Sequence, residues 1–215
     1  MNPCHSIRAL ASTSAILTVM LFAVPARAGV PSSANSSLPA CMALCPFGDA
    51  PFSVVVRDIA NNPVAGSSVV LDFSSCPSAY LCTVGGEPDA IVDLPSRTVR
   101  GITNVSGNAT LHAHVGGTGP AGSVRVFADG VLLQSYALAS PDQDGDGFVV
   151  SIIGPDDAIF AAKLGTTNPT ADFDCSGLVD FMDEQFFYAH HSQSCNSYVD
   201  PVRRSTWGAV KLHYR

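Results

Sequence analysis

Between residues 51 and 138, apolar and polar side chains alternate in short runs. FSVVVR at 52–57, SSVVLDF at 67–73 and the stretches 98–103, 109–115, 123–128 and 131–138 follow this pattern, the period of a half-buried strand. Turn residues punctuate them: Asn61-Asn62-Pro63 and Ala65-Gly66, then Ser106-Gly107-Asn108 and Asp129-Gly130 where hairpins should close. Residues 76–96 hold Pro77, Gly85-Gly86, Pro88 and Pro95 and read as irregular. Leu111, Ala113 and Val115 alternate with Thr110, His112 and His114, which puts both histidines on the solvated face. Six or seven such strands predict a mainly β N-terminal β-sandwich.

After Ser140 the period lengthens. Residues 156–164 read as a helix with Pro155 in its first turn and Gly165 closing it, and 181–191 as a second helix with Phe186 and Phe187 for packing. An acidic loop precedes each. Asp142, Asp144 and Asp146 fill relative positions 1, 3 and 5, with Gly147 at 6. Asp172, Asp174 and Ser176 fill the same positions in the second loop, with Gly177 at 6, Asp180 at 9 and Asp183 at 12. Alternate side chains of a tightly curled loop point at one ion, and glycine permits the sharp turn. The backbone carbonyl of position 7, Phe148 or Leu178, adds a ligand. In the first loop position 12 counts to Ile153, which cannot ligate; a three-residue insertion brings in Asp156 instead. GFV…DDAIFAAKLG then aligns with GLV…DEQFFYAHHS, an internal duplication joined by residues 166–170. Two calcium ions are expected, and folding should depend on them.

Charge and cysteine usage place this pattern. Residues 1–28 read as a secretory leader, with Arg8, a short apolar core and Ala26-Arg27-Ala28 as the cleavage site. No apolar run is long enough for a transmembrane segment. The leader holds two of the eleven basic residues and none of the eighteen acidic ones. A basic stripe is missing, which argues against nucleic-acid binding. Beyond Cys4, six cysteines remain: Cys41, Cys45, Cys76, Cys82, Cys175 and Cys195. An even count in an exported chain predicts disulfides. The spacings C-x3-C and C-x5-C are loose for the rival reading, zinc. Sequence locality favours Cys175 with Cys195, the other four sharing two bonds.

The first part resembles the bacterial immunoglobulin-like repeats of the invasin/intimin type. The likeness rests on Val56-x-Asp58, Asn62-Pro63-Val64-Ala65-Gly66-x-x-Val69 and Thr103-x-x-x-Gly107-x-Ala109-Thr110-Leu111. It implies a spacer or adhesive stalk. The second part, two calcium loops each followed by one helix, resembles the dockerin type I module. That resemblance implies ligands Asp142, Asp144, Asp146 and Asp156 in loop one and Asp172, Asp174, Ser176, Asp180 and Asp183 in loop two. It also implies a cohesin-like protein partner, often a scaffold for enzymes of polysaccharide breakdown. Phe181 and Met182 stand at the family's partner-reading positions.

The expected organisation is therefore a leader (1–28), a linker (29–40), an immunoglobulin-like β-sandwich (41–139), a small α-helical, EF-hand-like calcium module (140–195) and a tail (196–215). The tail is basic and holds the only tryptophan, Trp207, and is expected to pack on the acidic module or to act as a recognition tag. G-x-S-x-G, H-E-x-x-H and P-loop motifs are absent from the sequence, so no enzyme is expected. The leading reading is a secreted, non-catalytic protein that attaches to a partner at a cell surface or on an extracellular scaffold. A second is a structural or adhesive surface protein in which calcium only stabilises the fold. A third is a small carbohydrate-active enzyme.

Overall fold

The alternating segments form strands, and two short helices follow them. The computed structural model describes residues 29–82 and 90–195; the expected leader and basic tail lie outside the described residues. In chain order come β1 (Met42–Ala43), β2 (Phe52–Val55), β3 (Ser68–Asp72), β4 (Tyr80–Leu81) and β5 (Ile91–Asp93). Next are β6 (Thr98–Ile102), β7 (Asn108–Leu111), β8 (Val115–Gly116), β9 (Gly119–Ala128) and β10 (Val131–Ala139), then α1 (Pro155–Ala161) and α2 (Phe181–Ala189). The chain is thus mainly β. One curled sheet has the order β1-β10-β9-β3-β6-β5, while β2 pairs with β7 and β4 with β8. No helix among the described residues is long and apolar enough to cross a membrane.

Pleat and burial agree along the strands. Val69 and Leu71 of β3, Val99 of β6 and Val124, Val126 and Ala128 of β9 are fully buried. They join Phe52 and Val54 of β2 and Ala109 and Leu111 of β7 in one core, so the small β2–β7 pair and the large sheet share one apolar interior. Phe52 meets Tyr136 edge to face across it, ring centroids 5.7 Å apart. The β9–β10 hairpin closes through Asp129 and Gly130, both left-handed at φ 46° and 82°, as a two-residue primed turn requires.

The residues at 56–69 and 103–111 singled out above meet in one knot. The Asp58 carboxylate accepts from the amides of Ala60 (2.9 Å) and Asn62 (2.8 Å). The Thr103 hydroxyl donates to the Val64 carbonyl (2.6 Å) and accepts from the Ser67 amide (2.8 Å). Gly107 is left-handed, and a Cβ there would lie 2.5 Å from the Val56 carbonyl oxygen. These side chains satisfy the backbone at crossings where no ladder partner is available.

Several expectations need correction. Residues 29–39 are no free linker: Ser37 bridges Val55, Pro31 bridges Asp58, and the Tyr136 hydroxyl donates to the Pro39 carbonyl at 2.8 Å. The stretch 76–96 supplies β4 and β5 despite its prolines and glycines, because both are short and lie at edges. His114 is not solvated. The strand breaks between Leu111 and Val115, the alternation resets, and His114 is buried with Nδ1 3.1 Å from the Pro46 carbonyl oxygen.

The cysteine pairing differs most. Cys41 bonds Cys175, and Cys82 bonds Cys195, while Cys45 and Cys76 are buried free thiols. Cys175 and Cys195 do not pair because they belong to opposite ends of the helical part. Cys175 lies in the second acidic loop, whereas the Cys195 amide donates to the Gly147 carbonyl of the first (3.0 Å). Locality in sequence misleads where a helix intervenes.

Core packing sets the first expected outcome. Leu71→Ala, at a fully buried site, should cost about 2–5 kcal/mol in urea unfolding. Ile102→Ala, 62% exposed on the neighbouring strand, should cost well under about 1 kcal/mol.

Candidate metal centres

Two acidic loops precede the helices, and their hydrogen bonds match except that the second amide on the first acid comes from position 4 in one loop and position 5 in the other. At position 1, Asp142 accepts from the amides of Gly145 and Gly147 (2.8 Å each); Asp172 accepts from Ser176 (3.0 Å) and Gly177 (2.8 Å). At position 3, Asp144 accepts from Asp146 (3.1 Å) and Asp174 from Ser176 (3.0 Å). At position 5, Asp146 accepts from Phe148 (2.8 Å), and the Ser176 hydroxyl accepts from Leu178 (3.4 Å).

The closing acids also match. Asp156 accepts from the amides of Gln143 (2.6 Å), Asp144 (3.1 Å) and Val150 (2.7 Å). Asp183 accepts from Phe173 (2.6 Å), Asp174 (3.2 Å) and Asp180 (2.9 Å). Val150 and Asp180 are both position 9, so the extra residues fall between there and the helix. They include Ile153, 93% exposed and left-handed at φ 51°, a strained conformation for a β-branched residue.

Each repeat also completes the other. Val149 of loop one exchanges backbone hydrogen bonds with Ser192 and Gln193, just beyond α2. Val179 of loop two exchanges the same pair with Gly165 and Thr166, just beyond α1. Ser192 and Gly165 are both left-handed, at φ 65° and 74°, as the residue ending a helix often is. Between the helices, Phe160 stacks on Phe187 with centroids 4.4 Å apart, and Phe173 stacks on Phe186 at 4.8 Å. Ala139 of β10 enters the same cluster.

The loops bring their carboxylates together. Asp142, Asp144 and Asp146 present oxygens within 4.8 Å of one another, as do Asp172, Asp174 and Asp183, and each group can hold a metal ion. Asp156 stands outside the first group. Asp180 caps α2, its carboxylate accepting from the Met182 amide at 2.8 Å, and Asp183 answers as the other half of a capping box. The Leu178 carbonyl accepts from the Ser176 hydroxyl (3.0 Å), and Phe148 forms a bridge with Ser194.

Electrostatics follow from this crowding. Burial pushes the Asp142 carboxyl up to about 7; nearby Asp156 and Asp144 add to the rise, and the amides of Gly147 and Gly145 oppose it. Burial likewise raises Asp156 and Asp172. Asp174, at the surface, is lowered by the Ser176 hydroxyl and amide. A cation between such carboxylates removes the repulsion. The β part walls the first loop: a Cβ on Gly116 of β8 would sit 1.9 Å from Asp142 Oδ2.

A third group lies outside the loops, and sequence reasoning missed it: Cys45, Asp49 and His190. Cys45 and Asp49 are four residues apart, but His190 lies far along the chain, and no motif announces the group.

The loop geometry yields a stability test. In chelator, Asp183→Ala strands three amides, that of Phe173 buried and those of Asp174 and Asp180 partly so, and should cost about 3 kcal/mol or more in urea unfolding. Asp174→Ala, at an exposed site, should cost less than about 1 kcal/mol. Set against known proteins, the chain matches no family model, no curated protein and no solved structure.

Proposed function

We propose that this is a secreted, non-catalytic calcium-binding protein that attaches to a protein partner through its duplicated acidic module. In this reading 141–195 is a dockerin-like unit of the EF-hand kind, carried on an immunoglobulin-like β-sandwich that acts as a spacer. The observation that carries it is the hydrogen-bond pattern repeated at positions 1, 3 and 5 and at the closing acid of both loops. The donor set suits a hard cation. It consists of oxygens, carboxylates foremost, and calcium accepts irregular cages of this kind. Asp142, Asp144, Asp146 and Asp156 would hold one ion, and Asp172, Asp174, Ser176, Asp180 and Asp183 the other, with the carbonyls of Phe148 and Leu178. The partner would meet the start of α2, where Phe181 and Met182 are 65% and 60% exposed; in loop one the insertion interrupts the corresponding positions. Two disulfides and the absence, among the described residues, of a membrane-crossing helix are compatible with an extracellular location.

A second reading has its own observation. Both disulfides run from the acidic repeats to the β part. Calcium would then serve only to rigidify one continuous body of a structural or adhesive protein.

Calcium titration by calorimetry on the exported chain should show two binding events. Saturation at 100 times Kd should stabilise the fold by about 2.7 kcal/mol per site. Absence of binding heat together with an unchanged melting temperature in chelator would sink the calcium assignment. If calcium binds, capture of a specific partner that chelator releases, and that Phe181→Asp with Met182→Asp abolishes, supports attachment. Calcium binding without any calcium-dependent partner leaves the structural reading.

A further inference from the structure

We propose that Cys45, Asp49 and His190 form a third metal site, of the zinc class, between the β part and the C-terminal end of helix α2. The three offer a thiol sulfur, a carboxylate oxygen and an imidazole nitrogen, all within 4.8 Å of one another. This donor set differs in kind from the acidic loops. Thiolate with imidazole selects a borderline cation such as zinc and is poorly suited to calcium.

Contacts around the group orient each donor. His190 Nδ1 lies 2.6 Å from the Phe186 carbonyl oxygen. A carbonyl only accepts, so Nδ1 carries the proton. In the neutral ring Nε2 therefore bears a lone pair, and it faces Asp49 Oδ1 at 3.6 Å. In that form two acceptors face one another, and the space between them suits a positive charge, a proton or a metal cation. A backbone carbonyl fixing the other nitrogen is also how metal-bound histidines are commonly held. Gln193 Nε2 donates to Asp49 Oδ2 at 2.8 Å, which leaves Oδ1 directed at the site. Cys45 Sγ donates to that same Oδ1 at 2.6 Å.

Distances match the proposal with one adjustment. Ordinary zinc bond lengths in a tetrahedral shell put an imidazole nitrogen and a carboxylate oxygen about 3.4 Å apart, and a sulfur and an oxygen about 3.6 Å apart. The first separation is already met. The second requires the sulfur and oxygen to part by about 1 Å, which follows once their shared proton is gone. Binding replaces that proton: the S–H bond breaks, a sulfur–metal bond forms, and the proton leaves to solvent. Asp49 is 42% exposed in its side chain while His190 is only 10% exposed, so the group has an entry side and a buried side. Three protein ligands leave a fourth position for water.

The same three residue types suggest a cysteine nucleophile, but their order is wrong. In a nucleophilic arrangement the histidine touches the cysteine and the acid orients the histidine. Here the carboxylate stands between the sulfur and the ring.

Cobalt(II) added to the calcium-saturated, non-reduced full-length chain tests the site directly. One equivalent should bring up a thiolate-to-cobalt charge-transfer band, which zinc then abolishes. The band should vanish in Cys45→Ala and persist in Cys76→Ala. Asp49→Asn, at a half-exposed position, should keep the fold and weaken zinc binding by at least about tenfold, the smallest loss typical of even an outer partner of a metal ligand. A wild-type chain without the band, or a band that survives Cys45→Ala, overturns the proposal whether or not the other variants fold.

Discussion

A buried carboxylate gathers the backbone of each acidic loop. Asp156 and Asp183 are fully buried, and each accepts three amides from its own loop. Charged acceptors make stronger hydrogen bonds than neutral ones, and a buried amide without a partner is costly. The loop therefore curls around its closing acid. That curl draws the other carboxylates onto one centre and delivers the chain to the helix at a fixed angle. It also sets the conflict a cation resolves, since the acids that organise the backbone crowd one another.

Helix placement follows from the loops, and aromatic packing follows from the helices. α1 and α2 span only seven and nine residues, too short to persist alone. They are held by the Phe160, Phe173, Phe186 and Phe187 cluster and by the reciprocal backbone pairing of Val149 and Val179. The sheet then anchors the whole. β1 runs parallel to β10, the Leu44 amide donates to the Ala139 carbonyl at 2.9 Å, and Ala139 contributes to the aromatic cluster. Immediately beyond β10 the first acidic loop begins. Only Ser140 and Pro141 stand between β10 and Asp142.

Much of this was legible in the sequence. Period-two alternation located β2, β3, β6, β9 and β10, because each has one face on the core. The acidic spacing located both loops and the offset of Asp156, because a curled loop has fixed inward positions. What escaped was set by long-range contact. β4 and β5 pair only through neighbours supplied elsewhere, and the prolines and glycines around them disguised them. His114 alternates correctly yet is buried, since a strand break changes the face. Asp180 fits a ligand position equally well as a helix cap, and spacing alone does not choose between them. Cys45, Asp49 and His190 meet only because the C-terminal end of α2 returns to the β part.

Cys175 shows how local and global terms are weighed. It occupies the fourth loop position, left-handed at φ 64°, where the first loop has Gly145 at φ 78°. A left-handed residue with a Cβ costs about 1–2 kcal/mol relative to the right-handed form. The bond to Cys41 closes a sequence separation of 134, for which the chain-entropy model gives about 5 kcal/mol. The crosslink outweighs the backbone strain even at half that value. Cys175 is not one of the three acids that gather in this loop, Asp172, Asp174 and Asp183, so the sulfur displaces none of them. Loop two thus gives up the easier glycine for a bond that secures it to the β part. Loop one has no such bond of its own, but its Gly147 carbonyl receives the amide of Cys195, which is bonded to Cys82. Each loop's disulfide tie to the β part takes a different route, direct through Cys175 for loop two and by way of Cys195 for loop one, and the duplication is asymmetric in these attachments.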